Sequence, residues 1–418
     1  MLEFIRKLWK IAELRNKILY TFGMLLLFRL VGCIPAPGID LTRLGMGGTD
    51  LPLLDMMNMM TGGAMSQMTI MAMGISPYIN SSIIMQLLCI ALPVLERMQQ
   101  EEGGREKINR ISRYVTIALA VIQAIGLSNG LGYAKDGLWN NILIGVSMAG
   151  GTALAMWIGE RITEKGIGNG ISLLIFAGIV SNLFNGIVGG FRTASTVTGL
   201  VGALVILLVL VILTFVVTFI DLGERRIPLQ IAKQVKGRRV YGGQNTHMTL
   251  KVISVGVMPL IFAYSFLSFP GTIGQLVAPN SGFTSWCNAN LVNGAWFHLF
   301  LSALLIFAFT FFYSSISFDA KKQAEQLQQQ GATIPGRRGK DIASYLQRTT
   351  NRLNLFAACF LAVLAAIPTL MLSGLSLQVP FAASSMLIAV SVSLETMRTI
   401  KGEMAIRGIE SEKDNGFM

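Results

Sequence analysis

Charged side chains are scarce in this sequence. Only 13% of its 418 residues are Asp, Glu, Lys or Arg, whereas 52% are hydrophobic. Soluble globular domains carry roughly 25% charged residues, so this composition excludes an ordinary water-facing surface. A helix needs roughly 20 apolar residues to cross a hydrocarbon layer of about 30 Å, and such runs recur along the chain. The sequence therefore predicts an all-α polytopic membrane protein.

Ionisable residues are almost absent from the interior of those apolar runs. The 22 acidic residues and the two histidines lie in loops or near the ends of the runs, with Glu395 the closest to a helix interior. Transport coupled to protons or cations usually requires titrating or coordinating side chains within the membrane. A secondary transporter of small solutes is therefore disfavoured, although backbone carbonyls could still bind sodium. An intramembrane hydrolase would lack its base.

The sequence also lacks the motifs of nucleotide and metal chemistry. Neither G-x-x-x-x-G-K-[ST] nor H-E-x-x-H occurs, and the glycine-rich stretch 166–170 is expected only to turn the chain tightly into a helix. The four cysteines are not at C-x-x-C spacing. We therefore expect no enzyme activity, no cofactor and no metal site. If the protein moves a substrate, a partner must supply the driving force.

Ten apolar segments, bounded by charged residues or by Gly, Pro and Asn, predict ten membrane spans. Five spans fall within residues 1–190 and five within 191–397, before a tail at 398–418. An odd number of spans in each half would place the second half upside down relative to the first, and such inverted halves commonly enclose a central path. The segments cover residues 18–35, 74–95, 114–130, 142–158, 170–188, 198–220, 252–270, 296–316, 353–372 and 381–397.

The basic residues predict the orientation of these spans. Thirty of the 34 Lys and Arg residues lie in the N-terminus, in every second loop and in the C-terminus. The other loops hold only Arg43, Lys135 and Arg192, while Arg29 lies inside an uncleaved first span. Because basic loops resist translocation, we expect both termini to be cytoplasmic. The net charge of +12 is then largely a topological signal and does not require a nucleic-acid partner.

Residues 51–63 form an apolar segment, LPLLDMMNMMTGG, that is too short to cross the bilayer. It lies between the first two predicted spans, on the external side, in a region dense in methionine. Flexible thioethers suit a surface that must repack. Such a segment is either an interfacial helix or a piece that folds back into the protein, and composition alone favours the interfacial helix.

Two predicted cytoplasmic loops, 221–251 and 317–352, are long and basic. Topology explains their charge but not their length, because a tight connection would suffice to join two helices. Two projecting arms indicate docking of a large partner, such as ribosomal RNA or an acidic protein surface. Contact with anionic lipid head groups is the alternative.

Three stretches of the chain are similar to motifs of the SecY/Sec61-alpha family. They read GISPYINSSIIMQLL at 74–88, GERITEKGIGNGIS at 159–172 and GRRVY at 237–241. The similarity begins at IPAPGID, 34–40, and continues in order into the last span. The chain departs from the family pattern at SFDAKK (317–322), at IPGRRGKDI (334–342), which contains Arg338, and at FAASS (381–385).

The resemblance implies ten transmembrane helices in two inverted halves around a central pore, with a re-entrant plug near 51–63 and a lateral gate. The gate would lie between spans two and three on one side and spans seven and eight on the other, with Gln86 at a polar gate position. The implied plug residues are Leu53, Leu54, Met56, Met57, Met59 and Met60. The implied constriction, called the isoleucine ring below, consists of Ile79, Ile83, Ile171, Ile175, Ile261 and Ile388.

The spacing of the isoleucine ring agrees with that role. The pairs Ile79/Ile83 and Ile171/Ile175 are each four residues apart, so each pair faces one direction on a helix. An apolar collar can gate by dewetting and can yield around a passing peptide while it opposes ion leak.

The resemblance also implies the function and the partners. A member of this family forms the protein-conducting channel of the general secretory pathway in the bacterial cell (plasma) membrane. It translocates unfolded preproteins and releases membrane segments sideways into lipid. The implied partners are the SecE and SecG subunits, the SecA ATPase, the ribosome, signal peptides, nascent chains and membrane lipids. The implied docking residues are Arg225, Arg226, Arg238, Arg239, Arg337 and Arg338.

Overall fold

The computed structural model is mostly helical over the residues that it describes. These are residues 9–39, 58, 61–101, 103–130, 138–193, 197–231, 234–236, 239–241, 245–253, 256, 258–277, 281–291, 296–336, 340–375 and 383–406. The helices are α1 (Ala12–Val31), α2 (Ser76–Ala91), α3 (Pro93–Gln100), α4 (Gly104–Gly130), α5 (Leu138–Lys165), α6 (Gly170–Thr193), α7 (Val197–Asp221), α8 (Met258–Val277), α9 (Gly282–Asn290), α10 (Trp296–Ser317), α11 (Ala320–Gln329), α12 (Lys340–Leu375) and α13 (Ala383–Ile406). The strands are β1 (Glu224–Ile231), β2 (Gln234–Lys236), β3 (Arg239–Tyr241), β4 (Asn245–Lys251) and β5 (Ala332–Thr333).

Ten of these helices overlap the ten predicted apolar segments. They are α1, α2, α4, α5, α6, α7, α8, α10, α12 and α13. By length and composition, three described stretches are apolar enough to cross a membrane, namely Trp139–Lys165, Trp296–Gln329 and Asp341–Ile367. Large apolar side chains such as Phe215, Phe219 and Phe300 point outward, which suits contact with lipid. The architecture is that of a multi-pass membrane protein.

The second predicted span, 74–95, is not one continuous helix. α2 ends at Ala91, α3 begins at Pro93, and the two helices are bent by 105° relative to each other. Leu92 between them has φ −109° and ψ 112°, because the proline ring disfavours the helical conformation in the residue before it. The predicted span is therefore corrected to end at Ala91. The helix that follows, α3, packs against both α2 and α4.

Two hydrophobic clusters hold the helices together. The first joins α1, α2, α5, α6, α8 and α13, and the second joins α7, α8, α10, α12 and α13. Adjacent residues of α8, Leu260 and Ile261, belong to different clusters, and so do Leu387 and Ile388 of α13. α8 and α13 therefore lie between the two clusters. Because lipid tails are as apolar as these side chains, close packing holds such helices together more than removal from water does.

The two basic loops join into one small unit with its own sheet, which an all-helical prediction does not include. β1 pairs antiparallel with β4 along most of its length, and Gln230 and Ile231 at its end pair with Thr333 and Ala332 of β5. β2 and β3 form a separate two-stranded hairpin. We call β1, β4, β5 and α11, together with the start of α12, the arm unit.

The arm unit has a hydrophobic core of its own. Ile227 of β1 and Leu250 of β4 are buried, and they pack in one cluster with Leu327 of α11 and Leu346 of α12. Alternate residues of a strand face opposite sides, so Arg226 lies on the outer, exposed side of β1. This shared core packs the two loops into one unit, so they are not independent.

Candidate functional site

Five members of the isoleucine ring meet in the first hydrophobic cluster. Ile175, Ile261 and Ile388 are buried in it, and Ile79 and Ile171 are partly buried and packed against it. These five side chains come from four helices, α2, α6, α8 and α13, that lie far apart in the sequence. The sixth member, Ile83, is also buried, at 8% exposure, but lies outside that cluster. The arrangement is an apolar contact zone between the two halves of the chain.

A tight turn between α5 and α6 sets the position of Ile171. Asn169 Oδ1 accepts the backbone N–H groups of Ile171 and Ser172, at 3.1 and 3.4 Å, and so caps the first turn of α6. Gly168 has φ +71°, in the left-handed region that glycine adopts without strain. A Cβ atom at Gly170 would collide with the backbone carbonyl of Gly159. The glycine-rich stretch therefore turns the chain tightly into the helix, as the sequence indicates.

The helices on the two sides of the predicted lateral gate are in contact. α4, the third predicted span, packs against α8, the seventh. α2 is fixed to α4 by Ser81 Oγ, which donates to the carbonyl of Ser112 at 2.8 Å. Gln86 is exposed, and its Nε2 lies 3.4 Å from Ser82 Oγ of its own helix. Gln86 therefore lies at the surface of α2, and α4 and α8 are in contact with each other.

The six plug residues lie outside the described residues. Asn58, which lies among them, and the chain from Thr61 onward are described. Asn58 and Thr61 to Gly63 lie against α1 and α6, and Thr61 is buried. Arg29 of α1 donates through Nη1 to the carbonyl of Gly62 at 2.9 Å and through Nη2 to the carbonyl of Ala177 at 2.8 Å. Asn58 and residues 61–63 therefore lie against the protein, while the rest of segment 51–63 lies outside the described residues, so the choice between the two alternatives stays a prediction.

The methionine-rich stretch after Gly63 is part of the interior. Met65, Met68, Met71 and Met73 are each at most 3% exposed. Three of them, all except Met71, pack with Ile144 and other residues of α4 and α5. The density of methionine thus reflects an irregular buried segment, where flexible thioethers fill gaps between helices.

Arg29 and Asn182 are site residues to which the sequence argument gives no role. Arg29 carries a charge inside a predicted span, and an ionisable residue at that depth is a functional candidate by default. Asn182 Nδ2 donates to the carbonyl of Asn58 at 2.6 Å, from α6. Arg29 could have been found from the sequence as a charged residue within an apolar run. No comparable sequence signal points to Asn182.

The docking arginines are placed in part. Arg225 and Arg226 lie exposed on β1, opposite Leu250 and Thr249 of β4. Arg239 begins β3, where it pairs with Lys236 of β2. The other three, Arg238, Arg337 and Arg338, lie outside the described residues. Within the described part of the chain, no group of three or more His, Cys, Asp or Glu side chains could hold a metal ion.

The sequence matches known translocase subunits over nearly its whole length. The SecY family model matches residues 69–397, which is more than half of the chain. The protein translocase subunit SecY of Streptomyces scabiei is 35% identical, with 98% of this chain and 99% of that protein covered. The protein translocase subunit SecY of Aquifex aeolicus is 37% identical, with 96% and 97% covered.

Solved structures share the fold at low sequence identity. A protein conducting channel gives a TM-score of 0.67 at 18% identity, and a SecY protein whose plug domain stabilises its closed state gives 0.68 at 18%. Both comparisons cover 98% of this chain and 99% of the other. Sec61 in a canine ribosome-channel complex gives 0.66 at 16%, with the same coverage. On the family model and the full-length relatives, this chain belongs to the SecY family of protein translocase subunits.

Proposed function

We propose that this chain forms a protein-conducting channel that translocates unfolded preproteins and releases membrane segments sideways into lipid. The observation that carries the proposal is the meeting of five isoleucines from four helices in one apolar cluster between the halves of the chain. A ring of aliphatic side chains excludes water and ions when empty, yet has no fixed bonds that a passing peptide would have to break. The relatives named above are translocase subunits, which does not support the alternative of a solute transporter.

The pore would run between two inverted halves, residues 1–190 and 191–397. The overlap of ten helices with the ten apolar segments supports this division, as does the position of α8 and α13 between the two hydrophobic clusters. The alternation of basic and non-basic loops supports cytoplasmic termini in a bacterial cell membrane. In this orientation the arm unit would extend into the cytoplasm, and Asn58 and residues 61–63 would lie on the external side of the isoleucine ring.

The lateral exit would open by separation of α4 from α8. These two helices belong to different halves and are in contact, so the described state corresponds to a closed gate in this proposal. Ile83 and Gln86, on α2, would line the gate side of the path, and the plug residues would seal its external side. The anchoring of the turn after the plug by Arg29 and Asn182 supports a plug held inside the protein.

The arm unit would dock the motor that supplies energy, either the SecA ATPase or a translating ribosome. Its buried core makes it a solid platform, and Arg225 and Arg226 are exposed on it. A related fold occurs as Sec61 in a ribosome-channel complex, which supports the ribosome as a partner. SecE and SecG would complete the channel against the many outward-facing apolar side chains. In this proposal the chain itself catalyses no reaction.

Reconstitution tests the proposed function directly. The purified chain is placed in liposomes with SecE and SecG, and SecA, ATP and a radiolabelled preprotein are added. We expect the preprotein to become resistant to external protease, and we expect this protection to require ATP. Liposomes without the chain and reactions without ATP are the controls. Saturable uptake of a small solute without SecA, together with no protease protection, would establish the transporter instead.

A further inference from the structure

Arg29 is a partly buried cation near the external end of α1 whose hydrogen bonds go to backbone carbonyls. Its guanidinium donates to Gly62 on one side and to Ala177 and Gly178 of α6 on the other, at 2.9, 2.8 and 3.5 Å. Among the described carboxylates, none forms an ion pair with it. A charge at this depth is costly unless it is fully hydrogen-bonded, so its three carbonyl contacts hold the arginine firmly in place.

A second contact holds Asn58, which lies four positions before Gly62. Asn182, one turn further along α6, donates to the carbonyl of Asn58 at 2.6 Å. Asn58 in turn accepts the backbone N–H of Ser66 through Oδ1 at 2.9 Å. Asn58 is thus bonded directly to α6, whereas Gly62 is bonded to Arg29 of α1, which in turn bonds to α6.

Two neighbouring glycines differ in how closely they approach this arginine. Gly62 has φ +72°, and a Cβ atom there would collide with the guanidinium of Arg29. Gly63 has φ +91°, and a Cβ atom there would meet only Asn182 Oδ1, at an ordinary 3.6 Å. An alanine is therefore strained by backbone conformation at both positions, but it displaces Arg29 only from position 62.

We propose that Arg29 is the latch that couples the isoleucine ring to the plug. This inference rests on the proposed function. Ala177 lies two residues after Ile175, so any outward movement of α6 that widens the ring also draws its carbonyls away from Arg29. The guanidinium then loses part of its coordination, and its hold on Gly62 weakens. Arg29 acts as a positioning residue, and widening of the ring and release of the turn become one event.

Cysteine protection at Thr61 tests the latch without any translocation assay. Thr61 is 2% exposed, and a Thr61→Cys variant, made with the four native cysteines replaced, reports whether the turn stays buried. In membrane vesicles we expect a small hydrophilic maleimide to label this cysteine about tenfold faster when Arg29→Met is added. Loss of a hydrogen bond to a charged group typically shifts an equilibrium by at least that factor. Arg29→Lys keeps the charge but not the contacts with both Gly62 and Ala177. Its labelling rate should fall between that of the Thr61→Cys parent and that of Arg29→Met.

The glycine pair supplies a matched control that leaves Arg29 in the chain. Gly62→Ala should speed labelling as Arg29→Met does, whereas Gly63→Ala should leave it close to the parent rate. Equal labelling in the parent, Arg29→Met and Gly62→Ala would overturn the latch. Equal acceleration by both glycine variants would also overturn it, because backbone strain alone would then explain the result.

The same variants separate the latch from the proposed function. In planar bilayers, Arg29→Met should raise the resting ion conductance several-fold over that of the parent channel. A parent channel that translocates, combined with unchanged labelling and conductance in Arg29→Met, contradicts the latch alone. A parent that fails to translocate contradicts the proposed function, whatever the labelling shows.

Discussion

Lys17 Nζ lies 2.8 Å from Oε1 of Glu403, and this ion pair joins the first helix to the last across 386 positions of the chain. Leu14, Ile167 and Met404 form a small buried cluster that joins the same two helices and the α5–α6 turn. The first and last helices are thus joined near the start of α1, at the opposite end of that helix from Arg29. A movement that separates α1 from α13 at this end must strain or break the Lys17–Glu403 pair.

Reversing one charge of this pair should loosen the connection. Both side chains are partly exposed, at 30% and 22%, so the pair contributes about 0.5–1 kcal/mol to the free energy of unfolding. We expect Lys17→Glu to lower the melting temperature of the detergent-solubilised protein slightly, and Lys17→Glu/Glu403→Lys to restore most of the loss. Lys107→Glu is the control, because its 3.9 Å pair with Glu101 is more than 60% exposed on both sides. A double variant no more stable than Lys17→Glu alone would show that the pair contributes nothing.

A polar residue in the isoleucine ring should break its seal. Ile171 is partly buried against the cluster that contains Ile175, Ile261 and Ile388. In Ile171→Asn, an amide would hold water within the proposed constriction, so we expect raised ion conductance in planar bilayers and secretion of precursors with defective signal sequences. Val180→Asn is the matched control, since Val180 is on the same helix and 42% exposed. A resting conductance in Ile171→Asn no higher than in Val180→Asn would remove the ring from the gating mechanism.

The placement of the spans follows from the sequence because hydropathy is a local signal. Each apolar segment contains its own evidence, and ten described helices overlap the ten segments. The break at Leu92 was also readable, since Pro93 restricts the residue before it. The predicted segment 74–95 contains this break, and its last three residues, 93–95, belong to α3.

The contacts between distant segments could not be read from the sequence. Gln230 of β1 pairs with Thr333 of β5, about a hundred positions later, and neither strand has an apolar pattern that names its partner. Arg29 was visible as a charge in a span, but its carbonyl partners are backbone groups, which carry no sequence signal. Side-chain patterns therefore located the helices, while the arm unit and the hydrogen bonds of Arg29 depend on tertiary geometry.

Reversing the charges of β1 should weaken docking without affecting the seal. Arg225 and Arg226 are exposed, and surface charges of this kind speed encounter with an oppositely charged partner. We expect Arg225→Glu/Arg226→Glu to weaken SecA binding about tenfold at low salt, with the difference shrinking as salt screens the interaction. Surface plasmon resonance on nanodiscs measures this effect. Lys107→Glu/Arg110→Glu changes the net charge equally in another loop, so equal weakening there would mean that total charge, not the arm unit, controls docking.

Cysteine reactivity should separate the exposed thiol of Cys33 from the buried thiol of Cys287. Cys33 is exposed, whereas Cys287 of α9 is 2% exposed, and burial raises the pKa of the Cys287 thiol. The thiolate is the reactive form, so a raised pKa leaves less of it at neutral pH, and burial also blocks access. In a variant without the other two cysteines, we expect maleimide at pH 7 to label Cys33 at least tenfold faster than Cys287.

Denaturation supplies the control for this comparison. In SDS both thiols are accessible, and we expect Cys33 and Cys287 to react at similar rates. Raising the pH of the native protein from 7 to 9 should increase the thiolate fraction of Cys287 without removing its protection, because the side chain stays buried. If Cys287 reacted as fast as Cys33 in the native protein at pH 7, α9 could not pack against α8 and α10 as described.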